Sequence, residues 1–227
     1  MNDYFSEATF SFLKELAANN NRDWFGENKA RYESDVREPA LAFIRAMQPE
    51  LDRFAPHFVA VDKKVGGSLM RIYRDVRFSK NKQPYKTNIG IQFRHELGKD
   101  VHAPGFYLHI EAHEVFVGAG IWHPDGDTLK KIRTYIDVHP TRWEDGRSDA
   151  GFARSYSLAG DGLVRAPKGY APDHPMIEDL KRKDFIGIAP LMPELVLQDD
   201  LTGLISSYFE TAKPFMQQLC RAVGVQY

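Results

Sequence analysis

The run Gly105-Phe106-Tyr107-Leu108-His109-Ile110-Glu111-Ala112-His113-Glu114-Val115-Phe116-Val117-Gly118-Ala119-Gly120-Ile121-Trp122 decides the fold. Two strand-like stretches, residues 105–112 and 115–122, meet across Ala112-His113-Glu114, which predicts a hairpin. Upstream, Ile89-Gly90-Ile91-Gln92-Phe93 alternates with period two, and residues 69–73 read as a short strand after Gly66-Gly67. Strands that follow one another without intervening helices pair antiparallel, so the centre of the chain is expected to form an antiparallel sheet.

The flanks read as helical. Ser6 is placed to cap a helix carrying Phe10, Leu13, Leu16 and Ala17, and Asn19-Asn20-Asn21 ends it through the asparagine tolerance of left-handed backbone. Asp23 is the expected second cap, followed by Trp24, Asn28, Tyr32 and Val36; Pro39 marks a kink or fresh start, and the helix ends near Phe54-Ala55-Pro56. Beyond the hairpin, Asp127 is expected to cap a helix bearing Leu129, Ile132, Tyr135 and Ile136, and His139-Pro140 and Gly146 bracket a helical turn around Trp143. Residues 163–165 and Phe185-Ile186-Gly187-Ile188 read as strands, residues 175–182 as a helix, and Asp200 and Pro214 as starts of the last two helices. The expectation is one α+β domain over residues 1–227, with a mainly antiparallel sheet of about five or six strands and helices packed mostly on one face. Residues 1–56 would be its helical start, 65–123 its strand-rich part and 124–227 its mixed helical end.

At 227 residues and 43% hydrophobic content the chain has material for a sizeable core. It contains no run of about eighteen apolar residues, so no membrane helix is expected, and its start lacks the pattern of a signal peptide, which points to the cytoplasm. Cys220 stands alone beside Leu219, Ala222 and Val223 and reads as a packed thiol.

Charge is unevenly distributed. Residues 71–88 contain Arg71, Arg74, Arg77, Lys80, Lys82 and Lys86 against Asp75, a local charge of +5 in a chain of net −1, so the rest sums to −6. Guanidinium groups grip oxyanions with paired donors, ammonium groups add mobile charge, and hydroxyls and amides complete the shell. The expected ligand-binding residues are therefore Arg71, Tyr73, Arg74, Arg77, Ser79, Lys80, Lys82, Tyr85, Lys86 and Asn88. Were residues 69–78 one strand, Arg74 would share a face with Met70, Ile72, Val76 and Phe78, so either the strand bends near Arg74 or an acid meets it. The plain alternative is a solvated edge.

The run Arg71-Ile72-Tyr73-Arg74-Asp75-Val76-Arg77-Phe78-Ser79-Lys80, continued by Pro84-Tyr85-Lys86-Thr87, resembles the signature of the DUF2461 family of conserved hypothetical proteins. Phe12-Leu13-Lys14-Glu15-Leu16, Asn20-Asn21-Arg22-Asp23-Trp24-Phe25, residues 118–124 and Pro167-Lys168-Gly169-Tyr170 are similar to that family as well. The resemblance implies a single domain and carries no activity with it.

His109, Glu111 and His113 alternate and would point to one side of a regular strand, in the manner of a two-histidine, one-carboxylate metal site. A polar strand face beside its turn ordinarily meets water, so no metal is expected and the triad stands as the alternative. Trp122-His123-Pro124-Asp125 follows a glycine-rich strand end; it is simplest as a core tryptophan and a turn, or else flanks a pocket with His123 as acid or base. Trp24-Phe25 read as core anchors, and Lys181-Arg182-Lys183 as cations closing a helix. No Walker loop, dinucleotide fingerprint, nucleophile elbow or Cys-x-x-Cys pair occurs.

Three readings result. The first is a soluble domain binding a phosphorylated small molecule or nucleic-acid end, with Tyr73, Phe78 or Tyr85 stacking on a base. The second is an enzyme acting on a phosphorylated or carboxylated substrate, with His123 or Asp75 moving a proton. The third is a structural network pairing the arginines with helix acids.

Overall fold

Strands β1 (Phe58–Val59), β2 (Asn88–His95), β3 (Gly105–Glu111), β4 (Val115–Ile121), β5 (Ser157–Ala159) and β6 (Phe185–Leu191) form one antiparallel sheet in the order β1-β2-β3-β4-β6-β5. This is a computed structural model, and it describes residues 4–63, 65–98 and 103–227. The hairpin of β3 and β4 sits at the sheet's centre, with Tyr107 opposite Gly118 and His109 opposite Phe116.

Helices α1 (Glu7–Ala18), α2 (Arg22–Glu27), α3 (Lys29–Tyr32) and α4 (Glu38–Phe54) precede the sheet. Between α3 and α4 the residues Glu33–Arg37 form a π-helical turn, and its cause is local. Pro39 has no N–H to offer the Asp35 carbonyl four residues back, and the Thr9 hydroxyl donates to that carbonyl instead at 2.7 Å. Helices α5 (Gly126–Val138), α6 (Pro140–Arg147) and α7 (Ala150–Ser155) follow β4, α8 (Ile177–Leu180) precedes β6, and α9 (Leu201–Thr211) and α10 (Lys213–Val223) close the chain.

The helices pack mainly on one face. Ile89, Ile91 and Phe93 of β2, Phe106, Leu108 and Ile110 of β3, and Val115, Val117 and Ile121 of β4 are buried there. Phe106 stacks on Phe209 of α9 at 4.7 Å between centroids and meets Phe54 of α4 edge-on at 6.1 Å. Trp143 is wholly buried between Phe185 and Phe215, and Cys220 lies in the same core, its thiol pushed up to about 12 by burial. Among the described residues no helix is long and apolar enough to cross a membrane.

Several local expectations are corrected. Residues 69–73 are not a strand. Ser68 and Met70 pair with Gln92 and Gly90 of β2, then the chain leaves the edge, and Ile72 and Arg74 pair instead with Lys86 and Pro84. The bend expected near Arg74 is thus made, and Arg74 is left half-buried. Residues 163–165 form no strand; Gly162 makes a single bridge to Arg182. Asn21, not Asp23, caps α2 by accepting the Trp24 N–H, and Asp125, not Asp127, caps α5 by accepting the Thr128 N–H. Asn19 ends α1 at φ −124°, outside the left-handed region, with its N–H on the Glu15 carbonyl.

Candidate functional site

The outward phase of the strands is unlike the core phase. Across four strands, Gln92 faces Tyr107, Tyr107 faces Gly118 and Gly118 faces Ile188. These residues, with Asn88, His109, Phe116, Gly120 and Ile186, line a pocket of about 440 Å³. Met70 and Lys86, from the segment beside β2, and Trp122, past the end of β4, complete it. Two glycines are required by this shape. A Cβ on Gly90 would lie 2.7 Å from the Tyr107 hydroxyl and 3.1 Å from Met70 Sδ, so only glycine lets the phenol lie across β2. Gly120 has φ +139°, and a Cβ there would lie 2.0 Å from the Phe185 carbonyl oxygen.

The polar groups of the pocket are few and distinct. Burial pushes the Tyr107 phenol up to about 12, with the Asn88 hydrogen bond working the other way. Burial also lowers the His109 imidazole, opposed by Glu111, which favours the neutral ring. That ring stacks on Phe116 at 4.5 Å and places Nδ1 3.2 Å from the Tyr107 hydroxyl. The Lys86 ammonium is half-buried and lowered first by burial and then by the neighbouring Arg71 charge. Among the described residues it makes no ion pair.

Of the ten ligand-binding residues expected from the sequence, Lys86 and Asn88 line this pocket. The others lie along residues 71–85. Arg77 holds Asp75 in a two-pronged pair at 2.7 and 2.9 Å, Lys82 donates to the Val76 carbonyl at 2.9 Å, and Arg71, Tyr73 and Lys80 are exposed while Arg74 and Ser79 are half-buried. Tyr85, expected as a stacking platform, is a core ring stacked on Phe25 at 4.1 Å. Among the described residues no ion pair joins Arg71, Arg74 or Arg77 to a helix acid, and Arg77 takes its acid from its own loop. Asp75, expected as a proton carrier, is held down at about 2 by the Arg77 hydrogen bonds and stays ionised. Trp122, expected in the core, is 51% exposed and lines the pocket.

The signal for the missed lining residues was the wrong polarity of an outward strand phase. Tyr107, Phe116 and Gly118 stand where a solvated sheet face carries charged or hydroxyl residues.

Two further constellations adjoin the pocket. His123, stacked on Trp122 at 4.4 Å, has φ +48° and donates its N–H to Asp184 at 2.7 Å, with Nδ1 2.9 Å from the same oxygen. Asp184 is 1% exposed and also accepts the Asp161 N–H. Of the alternative metal triad read from the sequence, His109 and Glu111 come together, but His113 lies exposed at the turn and Glu114 takes its place. With only two residues between β-paired ends, the side chain opposite Glu111 is that of Glu114.

A model of a conserved hypothetical protein family, DUF2461, matches residues 8–217 of the chain. No curated protein matches it.

Proposed function

The chain belongs to the DUF2461 family, and we propose that it binds a small anionic ligand combining a phosphate or carboxylate with a flat apolar body, as a nucleotide does. The supporting observation is the position of Lys86, an ammonium without an ion pair among the described residues, half-buried on the wall of an apolar pocket beside a second cation, Arg71. A cation drawn out of water beside another cation is unfavourable until an anion joins it, and the attraction is stronger where water is excluded. The Tyr107 hydroxyl and the Asn88 and Gln92 amides are the neutral groups that would finish its coordination. Phe116, Ile188 and Trp122 offer the apolar surface for the body, and a volume of about 440 Å³ falls within the usual small-ligand range of roughly 300–1,000 Å³. Arg74 and Lys80 act on this reading at longer range, raising the positive potential along the approach.

The test is a thermal-shift panel of nucleotides, sugar phosphates and aromatic carboxylates on the wild type, Lys86→Met and Gly118→Leu. A ligand that stabilises the wild type should bind about tenfold or more weakly to Lys86→Met, the loss of one charge-assisted hydrogen bond, and not at all to the plugged Gly118→Leu. Shifts that persist unchanged in both variants remove this reading.

One observation favours a second reading, proton transfer at His123. A non-glycine residue at positive φ is strained, and strain of this kind gathers where function holds it. A buried carboxylate on Nδ1 leaves Nε2 as the working nitrogen. His123→Gln would then abolish turnover of a panel ligand while leaving its binding intact; equal loss of both would assign His123 to the frame.

A further inference from the structure

We infer that His109, Glu111 and Glu114 hold a divalent first-row transition-metal ion, on grounds separate from the Lys86 pocket reading. The hairpin turn brings the carboxylates together. Glu111 donates its N–H to the Glu114 carbonyl at 2.8 Å, so the two residues stand opposite each other across Ala112-His113, on the strand face that also carries His109. One ligand atom from each of the three lies within 4.8 Å of the others. Like charges directly opposite in a hairpin destabilise it, which a bound cation reverses.

An independent observation concerns the imidazole. His109 Nε2 is buried without a hydrogen-bond partner and sits 3.6 Å from Glu111 Oε2, beyond hydrogen-bonding distance. Its Nδ1 is 3.2 Å from the Tyr107 hydroxyl. Nδ1 also has the Asn88 amide nitrogen at 3.4 Å; when an ion takes the Nε2 lone pair, the ring proton moves to Nδ1 and is donated to the phenol oxygen, and three electron-pair donors converge on the ion. An imidazole fixed through one nitrogen so that the other is free is the arrangement that orients a metal ligand. The Thr87 hydroxyl does the same for Glu111, donating to its other oxygen.

One imidazole and two carboxylates suit zinc, manganese or ferrous iron better than calcium or magnesium, which take all-oxygen sites. Three protein ligands leave coordination positions for water or a ligand atom. His109 borders the main pocket, while Glu111 and Glu114 border a smaller cleft with Leu13 and Lys14, so the ion occupies the wall between the two.

The experiment titrates metal-stripped full chain with Co²⁺, read by visible absorption, and with Zn²⁺ and Mn²⁺ by calorimetry. One ion per chain is expected, with affinity falling by about tenfold or more in Glu111→Gln and in Glu114→Gln, at least the effect of losing a ligand's supporting partner. His113→Ala and Lys86→Met should bind as the wild type does. No uptake, or uptake unchanged in the Glu111→Gln/Glu114→Gln double variant, overturns the site. Glu114 is exposed, so its variant tests the site even where a His109 variant does not fold.

Discussion

On the helix side of β3, Phe106, Leu108 and Ile110 are wholly buried, Phe106 against rings of α4 and α9; on the other side, Tyr107 and His109 are partly exposed and face Gly118 of β4 and Gly90 of β2. The two sides are made by the same seven residues. Alternation along a strand separates them so completely that one phase supplies cohesion and the other a recess with selected polar groups. The helix side is one continuous core of buried side chains. The recessed side is built from residues whose absence of bulk is the feature, Gly90 and Gly118 above all.

The hardest test of this contrast is truncation on each side of one strand. Phe106→Ala should cost about 3–5 kcal/mol, the usual price of a large buried ring, read from urea unfolding. Tyr107→Phe, one residue away, should cost about 1 kcal/mol or less, since it removes a hydroxyl and no packing. Comparable losses at the two positions would mean the recess is part of the core.

A second test concerns pH. His95 lies on the core phase of β2, 2% exposed, with Nε2 2.8 Å from the Gln226 carbonyl and Nδ1 accepting the Leu97 N–H at 3.2 Å. Accepting the Leu97 N–H requires the neutral ring, and burial lowers its pKa from the ordinary 6.5, although the Nε2–H bond to the Gln226 carbonyl works the other way. The unfolded chain therefore binds the proton first, so this contribution to stability is complete above 6.5 and declines as pH falls below it. The decline should reach about 1–3 kcal/mol, the cost of breaking a buried hydrogen bond and stranding its donor. Unfolding curves of the wild type and His95→Gln between neutral pH and the acid range should converge as pH drops; parallel curves would place the acid sensitivity elsewhere.

Lys86 gives a smaller effect of opposite meaning. Its pKa is lowered, so the charged form is disfavoured by folding, and wild-type stability should rise with pH as the titration window below the ordinary 10.5 is crossed. Lys86→Met should stabilise the free protein at neutral pH by about 0.5 kcal/mol or less, the increment typical where a binding group is held at a cost to the fold. A destabilised Lys86→Met would show that the ammonium serves packing rather than a ligand.

How much of this was legible depended on the range of the interactions. Residues 105–122 announced their hairpin because pairing and turn lie in one short stretch, and Asp200 and Pro214 announced their helices for the same reason. The ribbon after Met70 was misread because Ile72 and Arg74 find partners only after Pro84 returns the chain. The row Gln92, Tyr107, Gly118 and Ile188 is set by register across four strands, and no local pattern ties β6 to β4. Glu114 entered the metal constellation in place of His113 because the length of the turn, not the alternation before it, fixes which side chain returns to the face.

The smallest effect is expected where the sequence is most conspicuous. Arg77 and Asp75 satisfy each other at an exposed loop, with the arginine also lying over the Phe78 ring at 5.8 Å, and exposed pairs of this kind contribute little because water and salt screen them. Arg77→Ala should leave the unfolding midpoint within experimental error and leave any ligand-induced thermal shift in place, while Lys86→Met removes that shift. The reverse pattern would move the site from the recess to the ribbon and make the sheet's outward phase a scaffold for a loop that does the binding. The structural reason to expect otherwise is the difference in desolvation. Both side chains are cations, but of the two only Lys86 is withdrawn from water without an anion to meet it among the described residues.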